Sequence, residues 1–163
     1  MSSGSSVLTQ SLPISCGPVP CDDAHMSRQD NIAATRRFCD LVNLGQLDGF
    51  AAVVAPHCVG RDPAPGQMPG PQGFTTFFTV LRSAFPDMHI QIEHLVADED
   101  NVAFAYTLTG THQGEFMGIA PTGRHIWVRG MQIGRFEQGL MVERWGSSDE
   151  LGLLKQLGAS VTV

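Results

Sequence analysis

From Ser27 to about Leu44 the apolar residues Ile32, Ala33, Phe38, Leu41 and Val42 recur at three- and four-residue steps, a spacing that gathers them on one face of an amphipathic helix. Ser27 and Asp30 supply the start signal for that helix. A short second helix is predicted over Leu47 to Val54. The stretch Cys58 to Gly73, which contains R-D-P-A-P-G-Q-M-P-G-P-Q-G, is too rich in proline for regular structure and reads as a long rim loop. Phe74, Phe77, Phe78, Leu81 and Phe85 return to helical spacing until Pro86 ends the run, so a third helix turns an aromatic stripe inward.

After Pro86 the period falls to two. Met88, Ile90, Ile92 and His94 alternate with His89, Gln91 and Glu93 as far as the turn residues Asp98 to Asn101. Val102, Phe104, Tyr106 and Leu108 alternate next, Ile126, Val128, Ile133 and Phe136 mark a longer strand, and Glu137-Gln138-Gly139 turns into a fourth, L-M-V-E-R-W. Ser147, Ser148 and Asp149 offer N-cap oxygens to a final helix ending at Gly158. Helices followed by four strands in sequence predict an α+β fold with an antiparallel meander. A curved sheet closed on one side by helices forms a cone, and such cavities hold small molecules. Gly130, Gly134 and Gly146 interrupt the last two strands, where a glycine marks a bend, a bulge or a close approach. Facing inward, they would widen the pocket or let the helices pack closer.

Composition narrows the partners. Residues 1–25 are rich in Ser, Gly and Pro without a period and read as a flexible arm, leaving 26–163 as one domain, with Met26 a possible natural start. Sixteen acids against ten bases give a net charge of −6, no footprint for a phosphate backbone, so nucleic acid is not expected. No run is long and apolar enough to span a bilayer and no signal peptide is recognisable, which predicts no membrane partner and a cytoplasmic location. Cys16, Cys21, Cys39 and Cys58 complete no metal-ligand spacing and read as free thiols, so no metal is expected.

The run G-T-H-Q-G-E-F-M-G-I-A-P-T-G-R over 110–124, followed by R-F-E-Q-G, V-E-R-W and D-E-L-G-L-L-K-Q-L-G, resembles the SnoaL-like polyketide cyclases and ester cyclases of the nuclear transport factor 2-like superfamily. The resemblance extends from about Met26 to Gly158. It implies the cone-shaped fold and a cofactor-independent intramolecular aldol closure run by one cavity carboxylate as general acid and base. A carboxyl group in an apolar cavity is suited to this, because burial raises its pKa toward neutrality. Counted back from the shared ending, the family's catalytic Asp falls on Gly146, a supporting His on Gln132 and a neighbouring Gln on Gly130. Arg61 stands where a family His-Asp-Pro has its His.

Strand alternation tests that departure. With 130, 132 and 134 inward, together with 142, 144 and 146, the cavity receives no carboxylate from these two strands; a one-residue slip would bring Glu143 inward as acid and base. The candidate catalytic residues are Arg144, for an anionic or carbonyl group, Asp62, which could pair with it from the rim loop, and His112, at the end of the second strand. Each has a structural alternative: an ion pair for Arg144, turn formation before Pro63 for Asp62, and a backbone-satisfied imidazole for His112. Gln132, Tyr106, Phe78, Met117, Val128 and Gly146 are the candidate ligand-binding positions, with Met117 over the pocket mouth. Trp127 and Trp145 alternate to the outer sheet face, where a homodimer contact is expected. The function predicted is binding of a small apolar carbonyl compound with proton-transfer chemistry, cyclisation or isomerisation. The alternative is a non-catalytic or accessory binding protein.

Overall fold

The computed structural model describes residues 27–61 and 63–159, so the arm predicted at 1–25 lies outside the described residues. The elements in chain order are α1 (Arg28–Leu44), a 3-10 turn (Leu47–Ala52), β1 (Val54–Gly60), α2 (Gly70–Ala84), β2 (His89–Ala97), β3 (Asn101–Thr111), β4 (His125–Glu137), β5 (Leu140–Ser148) and α3 (Glu150–Leu157). Ser27 and Asp30 form a reciprocal capping box that starts α1, and Gly45 ends it in the left-handed conformation that a side chain resists. Arg82, in the last turn of α2, donates to the carbonyls of Val42 and Asn43 at the C-terminal end of α1, at 2.9 and 3.4 Å, joining the two helices where unsatisfied carbonyls collect.

The five strands form one curved, unclosed sheet in the order β1-β5-β4-β3-β2. Neighbours are antiparallel except β1, which runs parallel to β5, so the sheet is mixed rather than a pure meander. This corrects the expectation of four strands. β1 takes the end of the predicted second helix, at Val54, and the start of the predicted loop, at Cys58 to Gly60; it is short, and His57 and Pro56 break its apolar alternation. α2 likewise begins at Gly70, inside the predicted loop, because Pro71 suits a helix's first turn, where no N–H is needed.

Register irregularities bend the sheet between Ile92 and His94, between Arg135 and Phe136, and along β1 between Val54 and Val59. The first also corrects the predicted alternation. An extra residue at Glu93 sends His94 to solvent and brings Leu95 and Ala97 toward the core. Gln138 and Gly139, at φ 51° and 75°, make the tight β4–β5 hairpin turn, whose handedness matches strand twist. Between the helices and the concave sheet face lies the core, built around Phe38, Phe50, Phe74 and Phe78, whose ring centroids lie 4.8 to 6.0 Å apart. That edge-to-face and tilted geometry favours the ring quadrupoles beyond plain burial.

Candidate functional site

β4 alternates without a slip: Ile126, Val128, Gly130, Gln132, Gly134 and Phe136 are buried, while Trp127, Arg129, Met131 and Ile133 are exposed. β5 pairs Arg144 with Gly134, Gly146 with Gln132 and Ser148 with Gly130, which places all six on the concave face. Glu143 pairs with Arg135 on the opposite face. The inward carboxylate that a one-residue slip would supply is therefore not there.

A cavity of about 70 Å³ lies between this face and the helices. Phe38 and Cys39 of α1, Phe77, Phe78 and Leu81 of α2, Met88 just before β2, and Ile90, Phe104 and Leu108 of the sheet wall it; Tyr106, Gln132, Arg144 and Ser148 form a polar corner. Ordinary small-molecule sites measure roughly 300–1,000 Å³, so a ligand of that size enters only by displacing side chains or opening the mouth. Exposed Ser148 marks the polar corner's solvent side.

The polar corner is ordered by hydrogen bonds. Arg144 Nε–H donates to Gln132 Oε1 at 2.9 Å, and the guanidinium lies over the Phe74 ring at 5.8 Å. Tyr106 Oη and Ser148 Oγ share a hydrogen bond of 2.9 Å. The inward glycines are what allow these large side chains to lie flat on the sheet. A β-carbon at Gly130 would stand 2.4 Å from Tyr106 Cζ and Oη, and one at Gly146 would stand 2.6 Å from Arg144 Nη2. At Gly134 the same space is taken by Phe136 and Met141, at 3.0 and 3.1 Å. The glycines thus do not widen the pocket. Their vacated volume is filled from the next strand or from two residues along.

The position that the resemblance would give to a catalytic Asp is occupied by Gly146, and the Arg144 guanidinium fills the space above it. Burial pushes the Cys39 thiol up to about 12 and the Cys58 thiol up to about 11, the latter against the pull of nearby Arg144. Both thiols are free and neutral at physiological pH. Among the described residues no group of His, Cys, Asp or Glu is placed to hold a metal ion. No helix of the described residues is long and apolar enough to cross a membrane.

The remaining sequence candidates fall elsewhere. Phe78 lines the cavity, whereas Val128 is buried in the core beyond the cavity-lining set. His112 is wholly buried, with its ring 5.3 Å from that of Phe85, and is not among the lining residues. The Thr122 backbone N–H donates to its Nδ1 at 3.2 Å, so the neutral ring carries its proton on Nε2, which finds no acceptor. Met117 is 67% exposed at the tip of a tight turn, at φ 50°, closed by hydrogen bonds between Phe116 and Ile119. Phe116 in turn packs on Phe85 at 5.4 Å. Asp62 lies outside the described residues. The sequence offers Ser148 as a cap oxygen, yet the period of two that assigns Arg144 and Gly146 inward reaches it as well; Asp149 is the residue that caps α3, accepting from Gly152 N–H at 2.7 Å.

Comparison with known proteins places this geometry among relatives. The family model for SnoaL-like polyketide cyclases matches residues 32–157. The aklanonic acid methyl ester cyclase AcmA of Streptomyces galilaeus is 28% identical over 136 residues, which cover 79% of this chain and 91% of that one. The aklanonic acid methyl ester cyclase DnrD of Streptomyces peucetius is 26% identical over 134 residues, 78% of this chain and 90% of the relative. Among solved structures, TsrD from Streptomyces laurentii superposes with a TM-score of 0.76 at 26% identity, covering 83% of this chain and 99% of that one.

Proposed function

Because this chain belongs to the SnoaL-like polyketide cyclase family, we propose that it binds a small, apolar carbonyl compound in the cone and closes or isomerises it by proton transfer without a cofactor. The observation that carries this reading is the single polar corner, Arg144, Gln132, Tyr106 and Ser148, set into an otherwise apolar cavity. In an aldol closure the substrate loses a proton beside one carbonyl, the resulting enolate carbon attacks a second carbonyl, and the alkoxide so formed takes up a proton. Arg144 and Gln132 are assigned to the carbonyl oxygen on which negative charge develops, the role in which fixed N–H donors contribute most to rate. Tyr106 and Phe78 shape the wall, and Gly146 makes room for Arg144. Asp62, between Arg61 and Pro63 in the chain, is the proton carrier we assign, and His112 supports the loop over Phe85.

The second reading is a binding protein without turnover. It is favoured by one feature: among the described residues that line the cavity there is no carboxylate. The two readings separate by incubating aklanonic acid methyl ester, the ester named for the relatives, with wild type, Asp62→Asn and Arg144→Ala, and by mass spectrometry of any ligand retained on purification. The enzyme reading expects a saturable conversion at unchanged mass that both variants depress. Retention of a carbonyl ligand without conversion of any tested ester selects the binding reading, and unchanged turnover in both variants removes the site assignment.

For assembly, we propose a homodimer through the outer sheet face, where Trp127, Met131 and Ile133 are 48%, 63% and 42% exposed. Sedimentation velocity of Ile133→Glu should then show a monomer where wild type shows a dimer, and a monomeric wild type would remove the idea.

A further inference from the structure

We propose that Gln132 is the partition that ends the ligand chamber, and that it thereby sets the length of apolar chain the protein accepts. This rests on the cavity being the ligand site, as above, and adds which side chain limits what fits. A second void, of about 10 Å³, lies against the same concave face, lined by Ala34, Thr35, Val53, Gly134, Phe136 and Met141. Phe38, Phe104 and Gln132 line both spaces and form the wall between them. Along β4 the inward positions run Gly130, Gln132, Gly134. Gly130 pairs with Tyr106 and Ser148, which line the larger cavity, and Gly134 lines the smaller void. Gln132 is thus the one side chain that this strand raises between the two.

The three parts of that wall are not held alike. The Phe38 ring packs against Phe50, Phe74 and Phe78 at 4.8, 5.4 and 5.9 Å, inside the aromatic core. Phe104 is buried on β3 and lies against the Tyr106 ring at 5.8 Å. Truncating either ring would hollow the core itself. Gln132 is instead an unbranched chain, and the hydrogen bond that its Oε1 accepts from Arg144 Nε–H at 2.9 Å fixes where its amide stands. That tether uses only Nε–H, so it positions the amide whatever the rest of the guanidinium engages.

The space beyond suits hydrocarbon. Val53, Phe136 and Met141 are buried and apolar, and Thr35 already donates its hydroxyl to the Asn31 carbonyl at 2.9 Å. Alone, that void is no larger than a water molecule needs. Joined to the larger cavity through the position of Gln132, it becomes the far end of one longer bore. An unbranched alkyl tail on a carbonyl compound is the part of a ligand that such a floor measures. With Gln132 in place the tail meets a buried amide, which a further methylene must displace from its hydrogen bond or avoid by turning back toward solvent.

The test measures by calorimetry the affinity of the phenyl alkyl ketones from 1-phenylethan-1-one to 1-phenylheptan-1-one. Each methylene that finds apolar space should raise affinity about fourfold, and in wild type the rise should stop within the series. The readout is the chain length at which it stops, which is independent of any overall loss of affinity. In Gln132→Ala the rise should continue for about two further methylenes, a relative gain of about 15-fold for the longer ketones. Gln132→Asn, one methylene shorter, should move the break by about one carbon, and it carries the test if the alanine variant does not fold. Gln132→Met, of equal length without the amide, should leave the break in place. Adding Ala34→Leu to Gln132→Ala fills the far void and should bring the break back. Ketones bound with the same break in wild type and both shortened variants, or a break that Ala34→Leu does not restore, overturn the partition and leave the cavity reading standing. Binding of no ketone by any of the proteins overturns the cavity reading and the partition with it.

Discussion

Glu143 and Arg144 are neighbours on β5 and face opposite sides of the sheet, and the two sides handle charge in different ways. Outside, Glu143 accepts from Arg135 Nε at 3.0 Å and pairs with Arg61, whose guanidinium also lies over Trp145 at 5.8 Å; Arg135 reaches Glu137 in turn. One carboxylate there is shared by two guanidinium groups. Inside, Arg144 donates to a neutral amide, packs on an aromatic ring and fills the space above a glycine. A strand that alternates every residue samples both settings within 3.4 Å of chain rise, or about that. A carboxylate present in the sequence is therefore of no use to the cavity unless its parity is right, and Glu143 has the wrong parity.

The largest effect should come from the inner member of the pair. Arg144→Met should lower turnover or ligand affinity by about 10- to 100-fold, the range of a hydrogen bond to a charged group, whereas Glu143→Gln should change either by less than about threefold. Steady-state kinetics or calorimetry on both variants checks this, and equal losses would dissolve the distinction between the faces. Next, Gly130→Val should destabilise the fold by about 1–3 kcal/mol in urea denaturation, because its side chain meets the Tyr106 ring, which is held between Phe104 and Ser148. Adding Tyr106→Ala should recover part of that loss; additive losses would mean that the ring is not what fills the space.

Gly146→Ala sharpens the comparison within the inner face. The atoms nearest its new methyl belong to the far end of the Arg144 side chain, which can swing aside, so stability should change by less than about 1 kcal/mol while ligand affinity falls several-fold. The smallest effect belongs outside. Hydrogen bonds from Arg135 and Arg61 hold the Glu143 carboxyl below its ordinary value of 4.5, so the pairs stabilise the fold above that pH and the stabilisation is lost as pH falls through the depressed value. Glu143→Gln should therefore be less stable than wild type at neutral pH and converge with it in acid, as read by thermal melts across pH. A gap that persists in acid would assign the loss to packing.

Much of this contrast was legible in the sequence, since strict alternation on β4 and its unbroken register with β5 from Gly130–Ser148 to Arg135–Glu143 fix which side chains face the cone. The capping box at Ser27 and Asp30, the C-cap at Gly45 and the aromatic stripe on α2 are local signals, and local physics sets them. What escaped was non-local. β1 has little pattern of its own and is defined by its parallel pairing to β5, more than eighty residues on by the Val54 to Met141 register. The filling of the glycine gaps also escaped, because alternation says that a glycine faces inward without saying which neighbour lies over it. Likewise His112 and Met117 lie in the stretch that carries the family resemblance, but His112 packs on Phe85 and Met117 stands exposed at the tip of the 116–119 turn.

At the corner where β4 outruns β5, the Gln156 side chain of α3 accepts from Trp127 N–H and donates to Trp127 C=O, both at 2.9 Å. Its amide stands in for the strand that is not there. At the other corner Asn43 does the same for β2, accepting from Ile90 N–H at 2.7 Å and donating to Ile90 C=O at 3.0 Å. Unpaired strand backbone invites another chain to add a strand, and at these two points a single side chain already answers the invitation. The sheet can thus stay unclosed without leaving those stretches of backbone available as a template for aggregation.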